Sequence, residues 1–313
     1  MNNKFMPVIW QISALHLTNN RTQIRGVILK NTPANFTNSK GFIINLLKVI
    51  QSYFIKACAH QSITVESNGV TYHTETDGSG SFQIITNQHH KGSILIKIAN
   101  ATRPLRIEQD YPIIFSNLKS EIDVISDIDD TIIVSNTANF FKRIITLAFQ
   151  TPQKRQVIAY TQNLLESFRN RGANFYFVSK SESNLFGLIC TFIKHNKLPK
   201  GTLYLTPHLK FLQLFNSKKP SNFKINHIKF IIENAPLKKY ILLGDDTQRD
   251  MEIYAETVRS FPDSVLKIYI RKTSNREPSL SQKKMMTILL DSGVPVTYFK
   301  SADIFDMNDI LKI

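Results

Sequence analysis

The sequence predicts an α/β domain on a mainly parallel sheet, preceded by a small β-sandwich-like module. Three observations carry that prediction. Apolar runs near 122–127, 174–179, 202–206, 240–244 and 266–270 alternate with helical patterns near 138–149, 155–171, 183–196, 225–234 and 248–260, the βα alternation of a sheet wound with right-handed crossovers. The first run leads into Ser126-Asp127-Ile128-Asp129-Asp130-Thr131, an acidic cluster at the carboxyl end of a strand, where open α/β sheets bind ligands. Upstream, the pattern changes to short alternating runs separated by turn pairs. The division is therefore placed at 1–118 for the β-rich module and 119–313 for the α/β domain.

In order along the chain, Phe5–Leu17 is a mildly apolar run interrupted by Pro7, Gln11 and Ser13, with only Lys4 before it, a poor secretory signal. Thr22–Leu29 alternates as a strand. Within Gly41–Ala59, residues Phe42, Ile43, Leu46, Leu47, Ile50, Tyr53, Phe54 and Ala57 recur at helical spacing, which predicts an amphipathic helix. It either packs into the core or lies on an anionic membrane. Ile63–Val65 pairs with Val70–Thr74 across Asn68-Gly69, and Asp77-Gly78-Ser79-Gly80 turns the chain into Phe82–Ile85, with Ser93–Ile98 following. His89-His90 beside Lys91 reads as an exposed turn, because no third metal ligand is near in sequence. The interval 132–173 between the first two runs is long and holds a concentrated apolar helix (Phe140, Phe141, Ile144, Ile145, Leu147, Phe149). Arg271 and Lys272, after the last run, either border the site or, as the favoured reading, are surface charges, and Leu280–Ile313 reads as helix, strand (Val294–Phe299) and helix.

The acidic cluster suits phosphoryl transfer, which needs a nucleophile in line with the leaving oxygen, an acid to protonate that oxygen and a cation to offset charge. Asp127 and Asp129, two residues apart, project to one side of an extended chain. Asp127 can attack to form an aspartyl phosphate and Asp129 can protonate the departing alkoxide. The competing reading is a helix start with acidic first-turn residues. Three further segments favour the chemistry. Phe175–Val178 leads to Ser179, whose hydroxyl can bind phosphate oxygens; Lys224 opens the helical pattern of Ile225, Ile228, Ile231 and Ile232; and Tyr240–Gly244 leads to Asp245, with Asp246 and Asp250 behind. Oxygen-only donors of this kind suit Mg²⁺. Asp246 either adds to the metal affinity or caps the following helix, the cap being the favoured expectation.

These segments, Val-Ile-Ser-Asp-Ile-Asp-Asp-Thr-Ile, Phe-Val-Ser-Lys-Ser, Leu-Pro-Lys-Gly-Thr and Leu-Gly-Asp-Asp-Thr-Gln-Arg-Asp-Met-Glu-Ile-Tyr-Ala-Glu, resemble the haloacid-dehalogenase superfamily of phosphatases. Within it they look like the catalytic domain of the actin-patch-associated phosphatidate phosphatase family, from about Glu121 to Arg271. The resemblance implies a Rossmann-like haloacid-dehalogenase fold with a minimal cap, the interval 132–173 forming a short two-helix cover. It implies Asp127 as nucleophile, Asp129 as acid and base, and Thr131, Ser179, Lys180 and Lys224 as phosphate binders. Mg²⁺ would be held by Asp127, Asp129, Asp245 and Asp250. The chain departs from the family at Ser179-Lys180-Ser181-Glu182, where relatives have Ser-Asn-Ser-Pro, and at Asp246, where they have Ser.

Composition bounds the setting. Charged residues make up 20% and hydrophobic ones 42%, which excludes a disordered chain. Cys58 and Cys190, both on runs that read as helical, predict core thiols and a reducing, cytoplasmic compartment. No run has the length of a membrane span. The net charge of +15 favours anionic partners: phosphorylated lipid, an anionic membrane touched peripherally, a small phosphorylated metabolite or, with less support, nucleic acid. The leading expectation is a Mg²⁺-dependent phosphatase of phosphatidate-like lipids. The alternatives are a soluble phosphatase of nucleotide, polynucleotide-end or sugar phosphates, and a non-catalytic phosphate-sensing module.

Overall fold

The structure, a computed structural model, describes residues 7–36, 41–90, 92–132, 157–211, 213, 222–235, 237–247, 249–274, 277–306 and 310. The predicted helix at 138–149 and most of the predicted cover lie outside them. The first half contains β1 (Val8–Leu17), β2 (Arg21–Leu29), α1 (Phe42–Phe54), β3 (Ser62–Ser67), β4 (Val70–Glu75), β5 (Ser81–Thr86), β6 (Ile94–Ile98) and β7 (Arg106–Ile107). Two sheets, ordered β5-β2-β1-β7 and β4-β3-β6, enclose a core of Ile9, Ile12, Ile24, Ile28, Ile63, Val65, Phe82 and Ile96. The β3–β4 hairpin pairs Ser67 with Val70, and Asn68 (φ 51°) and Gly69 (φ 78°) supply the left-handed turn that a two-residue connection requires.

β1 lies where the sequence offered only a weak apolar run. It pairs with β2 on one side and β7 on the other and is buried on both faces, so it shows no alternation. Ile9 and Ile12 enter the sandwich core, while Val8 and Trp10 join a second cluster with Phe177, Phe186 and Leu188 of the other half. The Trp10 ring meets Phe186 edge-on at 5.6 Å, and its Nε1 donates to the Ser183 carbonyl at 3.3 Å. A Cβ on Gly187 would sit 2.7 Å from the Trp10 ring, so only glycine permits this approach. Gln11, which interrupts the run, is satisfied across the same boundary: it donates to the Leu203 carbonyl and accepts from the Ser183 hydroxyl.

The predicted helix over 41–59 is shorter than its apolar stripe. α1 ends at Phe54; Ile55 is extended and Ala57 bridges to Leu29, so Cys58 is not helical, although both cysteines are buried and free as expected. The expected exposed turn at His89-His90 is also corrected. His90 is buried, its Nδ1 2.6 Å from the Ser67 hydroxyl and its ring stacked on Phe115, because the loop folds back over the sandwich edge.

The second half contains β8 (Ile122–Ser126), α2 (Ala159–Asn170), β9 (Phe175–Glu182), a 3₁₀ turn (Ser183–Leu185), α3 (Phe186–His195), β10 (Thr202–Thr206), α4 (Phe223–Glu233), β11 (Lys239–Asp245), α5 (Asp250–Ser260), β12 (Val265–Lys272), α6 (Leu280–Leu290) and β13 (Val296–Lys300). The strands form one parallel sheet ordered β10-β9-β8-β11-β12-β13. Its central members are continuous apolar runs, Tyr240–Leu243 being wholly buried, as a sheet covered on both faces demands. The order reverses at β8: the chain runs outward through β9 and β10, then returns to β11 on the other side. That reversal opens a crevice at the carboxyl ends of β8 and β11.

Candidate active site

Asp127 follows the last residue of β8, and its amide donates to the Leu243 carbonyl of β11 at 2.9 Å, which holds the two strand ends level. Asp245 ends β11 and Asp250 opens α5. Gly244 brings that helix close, since a Cβ there would lie 2.8 Å from Asp250 Oδ2 and from the Tyr254 ring. Tyr254 Oη donates to the Leu243 carbonyl at 2.8 Å and ties α5 to the same point. One carboxylate oxygen from each of Asp127, Asp245 and Asp250 falls within 4.8 Å of the other two, and all three residues are buried.

Lys224, the second residue of α4, is 1% exposed; its Nζ lies 2.6 Å from Asp250 Oδ1 and 3.0 Å from Asp127 Oδ1. Burial works against its charge, but Asp127 and Asp250 outweigh that and hold the ammonium above its ordinary range. Burial pushes the Asp127 carboxyl well up, opposed by Lys224 and reinforced by Asp250, Asp245 and Asp129. Asp245 is pushed up to about 7, first by burial and then by Asp250, against hydrogen bonds from Thr247 and the charge of Lys224. Neither oxygen of Asp127 accepts a hydrogen bond from a described residue.

Asp129 stands apart from that trio. Its Oδ2 accepts from the Ser179 hydroxyl at 3.0 Å and the Ser181 hydroxyl at 2.6 Å, while the Ser181 amide donates to Ser179 Oγ at 2.9 Å. β9 runs on to Glu182, beyond the predicted 179, so Ser179 and Ser181 share one face of the strand. Ser179 therefore orients Asp129 here. Ser181 was not anticipated, although its spacing from Ser179 carried the signal. Thr131, also buried, has a hydroxyl that no described residue hydrogen-bonds. Half-buried Lys180 borders a cavity of about 560 Å³ with Thr247, Arg249, Glu252 and Gln282. Burial and then Lys224 push its ammonium down.

Two expectations are corrected. Asp246 caps no helix: its carboxylate accepts from the Thr273 amide and hydroxyl and from Tyr298 Oη, joining β11 to β12 and β13. Arg271 is not a surface charge but 4% exposed. Its Nη1 donates to the carbonyl of Asp130, the left-handed residue (φ 57°) at the turn after Asp129, so the guanidinium braces that turn. Thr247 was not foreseen either; its amide donates to Asp245 Oδ1 at 2.5 Å and its hydroxyl bonds the same oxygen, fixing the carboxylate from two residues on.

A sequence profile described as "Phosphatidate phosphatase APP1, catalytic domain" matches residues 122–272, the stretch that contains Asp127, Asp129, Ser179, Lys224, Asp245 and Asp250. That segment is similar to the family's catalytic domain. Phosphatidate phosphatase APP1 of Saccharomyces cerevisiae is 32% identical over 160 residues, 49% of this chain and 26% of the yeast protein. An uncharacterized protein of Schizosaccharomyces pombe is 26% identical over 192 residues, 59% of this chain and 31% of its own. The chain thus spans about a quarter to a third of the length of these relatives. Among solved structures, a chain of the Pnkp1/Rnl/Hen1 complex aligns over 57% of this chain and 55% of its own at 13% identity, with a TM-score of 0.36, too loose a likeness to carry an argument. The match to the phosphatidate phosphatase APP1 catalytic domain begins with β8 and ends with β12, so the family region supplies the crevice strands, while β13 and the sandwich lie outside it.

Proposed function

We propose that the chain is a magnesium-dependent phosphatase of the haloacid-dehalogenase type that releases phosphate from phosphatidate-like lipids through an aspartyl phosphate on Asp127. The observation that supports it most directly is the state of Asp127: a buried carboxylate accepting no hydrogen bond from a described residue, held beside Lys224 and facing Asp245 and Asp250. The donors fit Mg²⁺, since all are carboxylate oxygens and their crowding pushes Asp127 and Asp245 up, a repulsion that a cation relieves. Asp127, Asp245 and Asp250 would hold the ion. When bound, it would supply positive charge that keeps Asp127 ionised and offsets charge on the phosphoryl oxygens.

The residues of the chain divide the remaining work. Asp127 attacks phosphorus through a carboxylate oxygen as the P–O bond to the lipid alkoxide breaks. Asp129, aimed by Ser179 and Ser181, gives that alkoxide a proton and later takes one from the water that hydrolyses the acyl phosphate. Lys224 balances the nucleophile's charge before attack and the phosphoryl group's afterwards. Thr131 offers its hydroxyl to a phosphate oxygen, and Lys180 stands at the rim.

A lipid substrate is supported by the family match and by α1. That helix buries Asn45, Val49, Ser52 and Tyr53 against the α/β half, and Ser52 accepts from Asn184 just after β9. Its opposite face exposes Ile43 (68%), Ile44, Leu47 (60%) and Phe54. No helix among the described residues is long and apolar enough to cross a membrane, so this face would make the contact at the surface. Phosphate release from phosphatidate vesicles, compared with nucleotide, sugar and polynucleotide-end phosphates in Mg²⁺, tests the reading. We expect release from phosphatidate, its loss in Asp127→Asn, and reversible silencing by chelation; activity that persists in excess chelator would end the metal assignment.

A further inference from the structure

β2 has two faces. Ile24 and Ile28 enter the sandwich core, while Val27 and Leu29 pack into the cluster shared with the α/β half. Arg25 lies in line with Val27 and Leu29, beyond Gln23 and Arg21 on the same strand face. Its guanidinium carbon sits 4.7 Å from the Tyr204 ring centroid, a cation–π contact. Among the described residues its side chain makes no hydrogen bond and no ion pair. Burial pushes this guanidinium below its ordinary range, with Tyr204 the opposing influence. The guanidinium is half-buried and no described residue supplies it an acceptor, and five donors in a rigid fork are suited to an oxyanion that enters from the cavity.

Arg25 borders a cavity of about 530 Å³ between the two halves, walled also by Thr206, Phe223 and His227. Two acids reach its rim but are engaged: Glu75 faces His60 at 3.7 Å in an exposed pair, and Asp77 Oδ1 accepts from Ser79 and Ser81. His227 lies between Tyr204 and Phe223, and its Nδ1 is 2.9 Å from the Phe223 carbonyl. That bond places the proton on Nδ1 and leaves Nε2 an acceptor. Burial and then Arg25 push the imidazole down to about 4, so it is neutral and does not compete with Arg25 for the anion.

We propose that this cavity is a second, non-catalytic binding site for a phosphate group, taken by the Arg25 fork with His227 accepting a hydroxyl of the phosphate or of its ester. The proposal is independent of Asp127's role. The volume admits more than a bare phosphate, so inorganic phosphate and a phosphorylated glycerol headgroup are both eligible sources. The site adjoins the catalytic crevice: Phe223 precedes Lys224, and Thr206 Oγ1 donates to the carbonyl of Ser181, whose hydroxyl holds Asp129.

The test is calorimetric titration of the full chain in Mg²⁺ with inorganic phosphate, at an ionic strength fixed with chloride. Two sites are expected for the parent; Arg25→Gln should lose one, with at least a tenfold fall in its affinity, while hydrolysis of a soluble phosphoester is unchanged. Arg25→Lys, which keeps the charge without the fork, should weaken the same site severalfold and carries the test should Arg25→Gln not fold. In an Asp127→Asn background, with and without Arg25→Gln, glycerol 3-phosphate and short-chain phosphatidate separate a free-phosphate site from a headgroup site. Unchanged stoichiometry and affinity in both Arg25 variants would overturn the proposal. So would an Arg25→Gln protein that melts lower without phosphate and binds phosphate normally, since Arg25 would then be a structural cation held by Tyr204.

Discussion

Replacing Lys224 by Met removes an ammonium whose charge balances the buried carboxylates from within their own cluster. Its ammonium lies 2.6 Å from Asp250 and 3.0 Å from Asp127, at 1% exposure, so no water takes its place. Breaking a buried ion pair by removing one partner costs about 3–5 kcal/mol. For a protein of this size roughly 2 °C of melting temperature follows each kcal/mol, so the metal-free variant should melt roughly 6–10 °C below the parent. Two accompanying effects separate this account from simple loss of packing. The deficit should shrink as pH falls and Asp127 takes a proton, and Mg²⁺ should raise the variant's melting temperature more than the parent's, because it restores the missing charge. Thermal melting in chelator and in Mg²⁺, at acid and neutral pH, gives all four values. A variant as stable as the parent in chelator at neutral pH, or a deficit independent of both pH and Mg²⁺, would refute the reasoning. Activity should be lost under every condition, since the substituted methionine cannot balance the phosphoryl charge.

Asp129→Asn keeps the nucleophile and lacks the proton donor, so hydrolysis of an alkyl phosphate should fall roughly 10²–10⁴-fold while esters with activated leaving groups are partly spared; equal losses on both ester types, measured by phosphate release, would assign the role wrongly. Metal-free protein should lose stability as pH rises, because Asp245 keeps its proton up to about 7 when folded and releases it near 4 when unfolded. Stability from this group is fully present below pH 4 and lost as pH climbs through 7, about 4 kcal/mol over roughly three units. Asp245→Asn should flatten that slope in denaturant titrations at pH 4.5 and 7.5, and a parent already flat in chelator would contradict the argument. On α1, changing Ile43, Ile44 and Leu47 to Ser should leave the fold and soluble-ester hydrolysis intact while weakening binding to anionic vesicles, each side chain contributing at most about 1.5–3 kcal/mol. Vesicle cosedimentation equal to the parent's would remove the membrane contact.

How much was legible depended on whether a residue's role was written in local pattern or in tertiary contact. Asp127, Asp245 and Asp250 were found because each follows an apolar run or opens a helix, and the parallel sheet brings such ends together. Lys224 was singled out by its place at a helix start, but its pairing with Asp250 is a contact between two helix beginnings that no spacing encodes. Arg271 and Asp246 were misread for one reason: their partners lie on other elements, Asp130 beyond β8 and Tyr298 on β13. β1 was missed because burial on both faces erases the period of two, and α1 was drawn too long because Ala57 continues the apolar spacing after the backbone has turned to pair with Leu29. On α1 the sequence also merged two faces: Leu46 and Ile50 are half-buried, Val49 and Tyr53 wholly so, and only part of the stripe faces outward.

The charge distribution explains why a carboxylate-rich crevice sits in so basic a chain. Asp127, Asp245 and Asp250 gather around Lys224 and Asp129 adds its charge beside Asp127, and this group alone would repel a phosphate. Cations of three ranges oppose that repulsion. Lys224 acts at contact distance on the nucleophile, and a bound divalent ion would act at the same point. Lys180 acts from the rim of the adjoining cavity, where burial and Lys224 weaken its hold on a proton and an arriving anion would strengthen it. The excess of +15 is spread over both halves, 12 basic against 5 acidic residues before 121 and 27 against 19 after. It acts beyond the crevice, where mobile ions screen it within about 8 Å at physiological salt. The distant charge therefore governs approach to an anionic surface or substrate, and the buried charges govern the bond that breaks. Removing surface lysines should change the first without the second; removing Lys224 should do the reverse.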